Sequence, residues 1–182
     1  MNAIIRTYTG VDFKPFEPHP DMVNIEDISQ GLSNLCRYAG QSNQFYSVAQ
    51  HSVFVSDILR VRGHEPEIQF LGLMHDSPEA YIVDLPTPIK MAMPYYQQTE
   101  SGVWSCIVEK FGIKADEEAM KVMAEADNDA FCTEAVNFMK VPPHWSDRPN
   151  WNPIGITMKG MEPVAAKIHF MERFKYLEAK LR

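Results

Sequence analysis

Apolar residues recur at three- and four-residue steps through almost every segment after Asn24, and this period constrains the 182-residue chain more than any other feature. A stripe with that spacing lies on one face of an α-helix, so the pattern predicts a helical bundle. Asn24 caps a first helix whose stripe runs Ile25, Ile28, Leu32, Leu35 and Ala39, with Gly40 ending it. A second helix covers about 46–61, with Val48, Ser52, Val55, Ile58 and Leu59 on one side, and a third covers about 66–76. Pro78 fits the first turn of a short following helix with Ser77 as its cap. Two prolines oppose helix in Asp84-Leu85-Pro86-Thr87-Pro88, which reads as an extended turn. Val103, Trp104, Ile107, Val108 and Phe111 mark another amphipathic stretch, and a long helix covers 117–139. The tail 164–181 is a last helix through Val164, Ile168, Met171, Phe174 and Leu181.

Only the opening IIRTYTGVDFKPF alternates apolar and polar residues, around Gly10, and it predicts a short β-hairpin. Pro15, Pro18 and Pro20 then end any ladder. Residues 141–163 hold five prolines and read as a loop, in which Trp145 and Trp151 either cover a ligand or anchor the loop to the core. The expectation is an all-α domain over 1–182 with a small β-hairpin. Residues 1–24 form the hairpin and an irregular segment, 25–140 the helical core, and 141–182 a loop and C-terminal helix.

Lys and Arg number 17 against 24 Asp and Glu, a net charge of −7. That balance argues against a nucleic-acid polymer, whose binding needs a basic face to displace counterions. A small anionic substrate stays open, because a few local cations can hold it. Cys36, Cys106 and Cys132 are scattered and odd in number, which favours a reducing, intracellular setting over a disulfide framework. The start MNAIIRTYTG lacks a secretory pattern, and no run approaches the ~20 apolar residues of a membrane span.

His51, the pair His75-Asp76, and Asp127 share one oddity: each lies on, or at the edge of, the apolar stripe of its helix. An ionised Asp on a buried face is costly unless paired or metal-bound, and Asp127 is too far from a helix end to be a cap. Taken singly, His51 is a satisfied core histidine, His75-Asp76 a chance dipeptide and Asp127 the partner of a Lys or Arg. Taken together on three helices, they read as a two-nitrogen, two-oxygen shell for Zn²⁺, Mn²⁺, Co²⁺ or Fe²⁺. Glu79 lies four residues after His75 and shares its face if the helix continues.

The order His51, His75-Asp76, Asp127 resembles the HD-domain superfamily of metal-dependent phosphohydrolases. The stretch CRYAGQSNQFYSVAQHSVFVS is similar to small bacterial and phage members, and HDSPEAYIVDLPTPIK to the bacterial 5′-deoxynucleotidases. The likeness covers roughly residues 25–140. It implies the helical HD bundle, a divalent metal on His51, His75, Asp76 and Asp127, and hydrolysis of a phosphate ester or anhydride. Zn, Co or Mn suits that position, with Mg a candidate at a second, phosphate-bound one. Ala80 follows Glu79 where (p)ppGpp hydrolases carry Asp, and no Gly-Tyr-Pro signature of cyclic-dinucleotide phosphodiesterases is present. A single nucleoside phosphate is the substrate class that survives.

The resemblance also assigns roles. Glu79 is the proton-handling carboxyl, Arg37 orients the phosphate, and Tyr38 stands where related enzymes pack an aromatic ring, often Trp, against the sugar. Asp84, Leu85, Pro86 and Thr87 match the substrate loop, Asp84 for a sugar hydroxyl or proton transfer and Thr87 for phosphate, with Lys90 as a further phosphate contact. The small phage members imply a deoxynucleoside triphosphate substrate of the dATP type, cleaved to nucleoside and triphosphate. The 5′-deoxynucleotidases imply a monophosphate instead, and a catalytically silent nucleotide-binding module is the alternative outside enzymes. Lys90, Lys121 or Lys159 near the site would favour the triphosphate, and Arg37 alone the monophosphate. A homo-oligomer in a bacterial or phage-infected cytoplasm completes what the resemblance implies.

Overall fold

The Asn24 side chain accepts a hydrogen bond from the Glu26 amide at 2.9 Å, and the first helix starts where the sequence places it. The computed structural model describes residues 3–141 and 143–182, which are mostly helical with one small antiparallel sheet. Strands β1 (Ile5–Arg6) and β2 (Asp12–Phe13) pair with Ile5 opposite Phe13 and Arg6 opposite Asp12. Thr9 pins this hairpin to the bundle, giving its amide and hydroxyl to buried Asp27 at 2.7 and 2.8 Å.

Helices α1 (Ile25–Asn34), α2 (Val48–Val61), α3 (Pro66–Met74), α4 (Glu79–Ile82), α5 (Thr87–Met91), α6 (Pro94–Phe111), α7 (Glu117–Phe138) and α8 (Pro163–Leu181) follow. Helix α2 is the centre of the bundle, packed on α1, α3, α7 and α8. Gly72 of α3 lies so close to Leu59 and Val55 that a Cβ would force them to move, and this lets α3 settle against α2. Ala126 and Ala130, both fully buried, seat α7 on Val55, Ile58 and Leu59 of α2. Small residues at these crossings bring three helices together at one level of the bundle, and the site lies there.

Several boundaries differ from the sequence expectation, each for a local reason. Helix α1 ends at Asn34 instead of continuing through Ala39 to Gly40. Cys36 bridges Ser47 and the Arg37 amide bonds the Tyr46 carbonyl at 2.9 Å, so the chain leaves the helix to pair with the segment before α2. Ser77 does not cap α4; its hydroxyl faces Met74 Sδ, and Pro78 precedes the helix with no side-chain cap. Helix α5 begins inside the stretch expected to be turn only, because Pro88 sits in its first turn, where the missing amide would have no intrahelical partner.

The buried face of α8 is Ala166, Phe170, Phe174 and Leu177, whereas Val164 and Ile168 are exposed. Apolar residues on several sides of α8 leave the choice of face to what it covers, which is α1, α2 and α3. The segment 141–163 is irregular apart from a 3-10 turn at Pro143–Asp147, and Pro142 lies outside the described residues. Its far end is tied back by Gln50, which bonds the Lys159 carbonyl at 2.8 Å and the Met161 amide at 2.9 Å.

Candidate metal centre and its cleft

His51 is buried in the first turn of α2, and His75 and Asp76 follow directly on α3. His51 Nε2 stands 3.3 Å from His75 Nε2, 3.4 Å from Asp76 Oδ2 and 3.1 Å from Asp127 Oδ1. His75 Nε2 is 3.2 Å from Asp76 Oδ1 and 3.8 Å from Asp127 Oδ1. His51, His75 and Asp76 each offer a donor atom within 4.8 Å of the others, a group that could hold a metal ion. Asp127 closes the cluster from α7 and is half-buried, with 41% of its side chain exposed toward the cleft.

The donor set suits a cation. The outer nitrogens are engaged elsewhere: His51 Nδ1 lies 2.7 Å from Glu134 Oε1, and His75 Nδ1 lies 2.8 Å from the Gly72 carbonyl. Acceptors in those positions hold the proton on Nδ1 and free the Nε2 lone pair for a metal. The spacing of the two Nε2 atoms matches metal–nitrogen bonds of ~2.1 Å at tetrahedral angles.

Glu134 was not among the residues expected from sequence, and it organises the site from behind. It is fully buried and accepts from His51, from the Tyr46 hydroxyl at 2.9 Å and from the Tyr38 hydroxyl at 3.1 Å. Arg37 Nε forms an ion pair at 3.1 Å with Oε2, the oxygen that also accepts from Tyr38. Burial alone would raise this carboxyl, but the charges of His51 and Arg37 and the hydrogen bonds hold it below the ordinary range. A signal was present in the sequence: Glu134 lies seven residues after Asp127, two turns along one helix face, among apolar neighbours.

Arg37 and Tyr38 reach this carboxylate through an unusual backbone. Tyr38 and Ala39 take φ of 58° and 50°, a left-handed turn that disfavours side chains, continued by Gly40 at 76°. Val83 is likewise at φ 68°, a costly position for a β-branched residue, directly before Asp84. Its carbonyl accepts from the Tyr96 hydroxyl at 2.5 Å.

The cluster opens into a cleft of about 690 Å³, within the range of small-molecule sites. Arg37, Tyr38, Asp76, Glu79, Asp84 and Asp127 line its inner part, with Leu85, Pro86, Thr87 and Lys90 along one side. Glu79 is buried rather than solvated, and its Oε2 has no hydrogen-bond partner among the described residues. Burial, then the charges of Asp76 and Asp84, push its carboxyl well above the ordinary range against the pull of Arg37 and Lys90. Burial raises Asp84 too, whereas His75, His51 and Arg37 overcome burial at Asp76 and hold it far below its usual value.

Lys90 Nζ is 2.7 Å from Glu100 and 3.9 Å from Glu79. Lys121 lines a separate groove with Arg62 and His64, and Lys159 is exposed away from the cleft. Phe131, Trp145 and Arg148 also line the cleft, while Trp151 packs edge-on against Trp145 at 6.3 Å.

No family model matches the sequence. The uncharacterized protein YfdR of Escherichia coli K12 is 40% identical over 111 residues, 61% of this chain and 60% of YfdR. The uncharacterized protein RCAP_rcc00048 of Rhodobacter capsulatus is 30% identical over 115 residues, 60% of this chain and 59% of that protein. The chain thus spans about three-fifths of the length of the curated relatives it matches. Among the described residues no helix is long and apolar enough to cross a membrane.

Proposed function

We propose that this chain is a metal-dependent phosphohydrolase of 2′-deoxynucleotides on an HD-type helical bundle, splitting a deoxynucleoside triphosphate into nucleoside and triphosphate. The observation that carries the reading is the meeting of His51, His75, Asp76 and Asp127 at the floor of a cleft that also contains Arg37 and Glu79, whose Oε2 has no hydrogen-bond partner among the described residues. A divalent ion on those four side chains, Zn, Co or Mn, would acidify a water and polarise the scissile phosphoryl oxygen.

The remaining work falls to the protein. Arg37 is oriented by Glu134 and Asp76, and its planar guanidinium presents donors to phosphate oxygens. Burial and the neighbouring Asp76 and Asp84 raise the Glu79 carboxyl, which suits it to pass a proton to a leaving oxygen or take one from water. Asp84 and Thr87 face the same cleft, where they can meet a sugar hydroxyl and a phosphate oxygen. The Tyr38 hydroxyl is committed to Glu134, so the ring is what a sugar would meet. Lys90 adds a cation beyond Arg37, which favours a polyphosphate. A monophosphate is the second reading, favoured by the neutralisation of Lys90 by Glu100.

Incubation of the protein with dNMPs and dNTPs in Mn²⁺, Co²⁺, Zn²⁺ or Mg²⁺, with products separated, tests the proposal. Triphosphate release from a dNTP is expected; phosphate release from dNMPs alone would select the second reading, and no release from any nucleotide would sink both. His75→Ala should lose metal and turnover together, whereas Glu79→Ala should retain metal and slow turnover by about 10²–10⁴-fold. Light scattering of the purified protein checks the homo-oligomer that accompanies this reading.

A further inference from the structure

Phe131 lies four residues after Asp127 on α7, one turn and about 6 Å further along the same face. Its half-buried ring therefore stands beside the metal-type cluster but outside it. The Tyr38 ring is 6.2 Å away on one side and the Trp145 ring 5.9 Å away on another, tilted by 30°. The guanidinium carbon of Arg148 lies 5.2 Å over the Phe131 ring.

The cations of the cleft differ in one respect. Arg37 is matched by Glu134 and Asp76, and Lys90 by Glu100. Among the described residues no carboxylate lies within ion-pair distance of Arg148, and its exposed guanidinium rests on an aromatic face instead. Stacking a planar heterocycle between the two needs roughly 7 Å, more than the present 5.2 Å, and the exposed Arg148 side chain, its donors unspent, swings outward to admit one. Stacking on both faces needs no particular edge pattern, and a purine gains most because its ring area is largest.

We propose that Phe131, Trp145 and Arg148 form a nucleobase subsite in which a purine stacks between the Phe131 ring and the Arg148 guanidinium. The proposal deepens, and rests on, the reading of the cleft as a nucleotide site. The loop 141–163 then supplies two of the three base contacts, and the protein discriminates nucleotides from phosphate esters that lack a base.

Binding to the full chain is measured with deoxyadenosine, which has a base and no phosphate, and with inorganic phosphate, which has the reverse. Calorimetry gives affinity, and intrinsic fluorescence, assigned with Trp145→Phe, reports on the subsite. Deoxyadenosine should quench Trp145. Phe131→Ala and the surface change Arg148→Ala should each weaken its binding by roughly 5- to 150-fold, with phosphate affinity and metal content unchanged. The proposal is overturned if both variants bind deoxyadenosine as the parent does, or if they lose phosphate to the same extent. If no nucleotide is hydrolysed yet these variants lose deoxyadenosine selectively, the subsite stands and the hydrolase reading falls. If dNTPs are hydrolysed and deoxyadenosine binding ignores both changes, the reverse holds.

Discussion

Glu134 joins the metal-type cluster to Arg37 in the cleft, because one carboxylate is in contact with both His51 and Arg37. Glu134→Gln keeps the shape but removes the charge that holds the His51 proton on Nδ1. Outer partners of this kind typically contribute 10–100-fold to metal affinity, and a loss of that size is expected in competition with a chromogenic chelator. Unchanged affinity would remove Glu134 from this role. His51 itself predicts a pH dependence. Burial and the Arg37 charge would lower its pKa, but Glu134 and Asp127 outweigh them and raise it from 6.5 to about 9. The metal-free protein therefore draws stability from protonated His51 that is fully present below pH 6.5 and lost as pH rises through about 9. Metal binding has the opposite sign, since the cation needs the neutral ring: affinity should climb across the same window. Titrations at a series of pH values with Co²⁺ check both trends, and a flat affinity would contradict the assignment.

At the scale of elements, the position of Glu79 depends on how closely α1 approaches α4. A Cβ at Gly31 would stand 2.8 Å from the Ala80 carbonyl oxygen and 2.9 Å from its Cα, and backbone cannot swing aside as a side-chain tip can. Gly31→Ala must push α4 outward and carry Glu79 with it. The expected cost is about 1–3 kcal/mol in denaturant unfolding, with a fall in turnover larger than any fall in metal content. Equal loss of both would mean that the change is felt by the whole bundle, not by α4. The contrast with Gly72 is instructive: there the obstructing atoms are side-chain methyls of Leu59 and Val55, which can give.

At the scale of the whole molecule, four carboxyl groups converge on one cleft in a chain already carrying −7: Asp76, Asp127, Glu79 and Asp84. A cation that binds only the folded state offsets that charge and stabilises by mass action, about 2.7 kcal/mol at 100 times the dissociation constant. For a chain of this length that corresponds to a rise of roughly 5–10 °C in melting temperature. Scanning calorimetry with Mn²⁺, Co²⁺ or Zn²⁺ should show the rise and a chelator should reverse it. No shift with any of the three would refute a metal centre here. On the proposed reading, a bound cation together with Arg37 would reverse the sign of the field locally and let an acidic chain accept an anion.

The sequence by itself determined the helical period, the hairpin at Gly10, the cap at Asn24 and the residues of the cluster. Those features are local, or consist of polar groups placed against the grain of an apolar stripe, and such groups stand out without any tertiary information. It left open what depends on contacts between distant segments. The end of α1 at Asn34 is set by pairing with the strand-like stretch before α2, not by a breaker in α1. The buried face of α8 is selected by the three helices it covers. Glu134 shares a helix face with Asp127, but its role is settled only when folding encloses it with His51, Tyr46, Tyr38 and Arg37. Phe131 reads as core until the loop carrying Trp145 and Arg148 folds over it and leaves its ring facing the cleft. Residue type and period select the chemistry available to this chain, but only the packing of α7 against α2 decides which of those groups face one another, because that distance is fixed by the small side chains at the crossing.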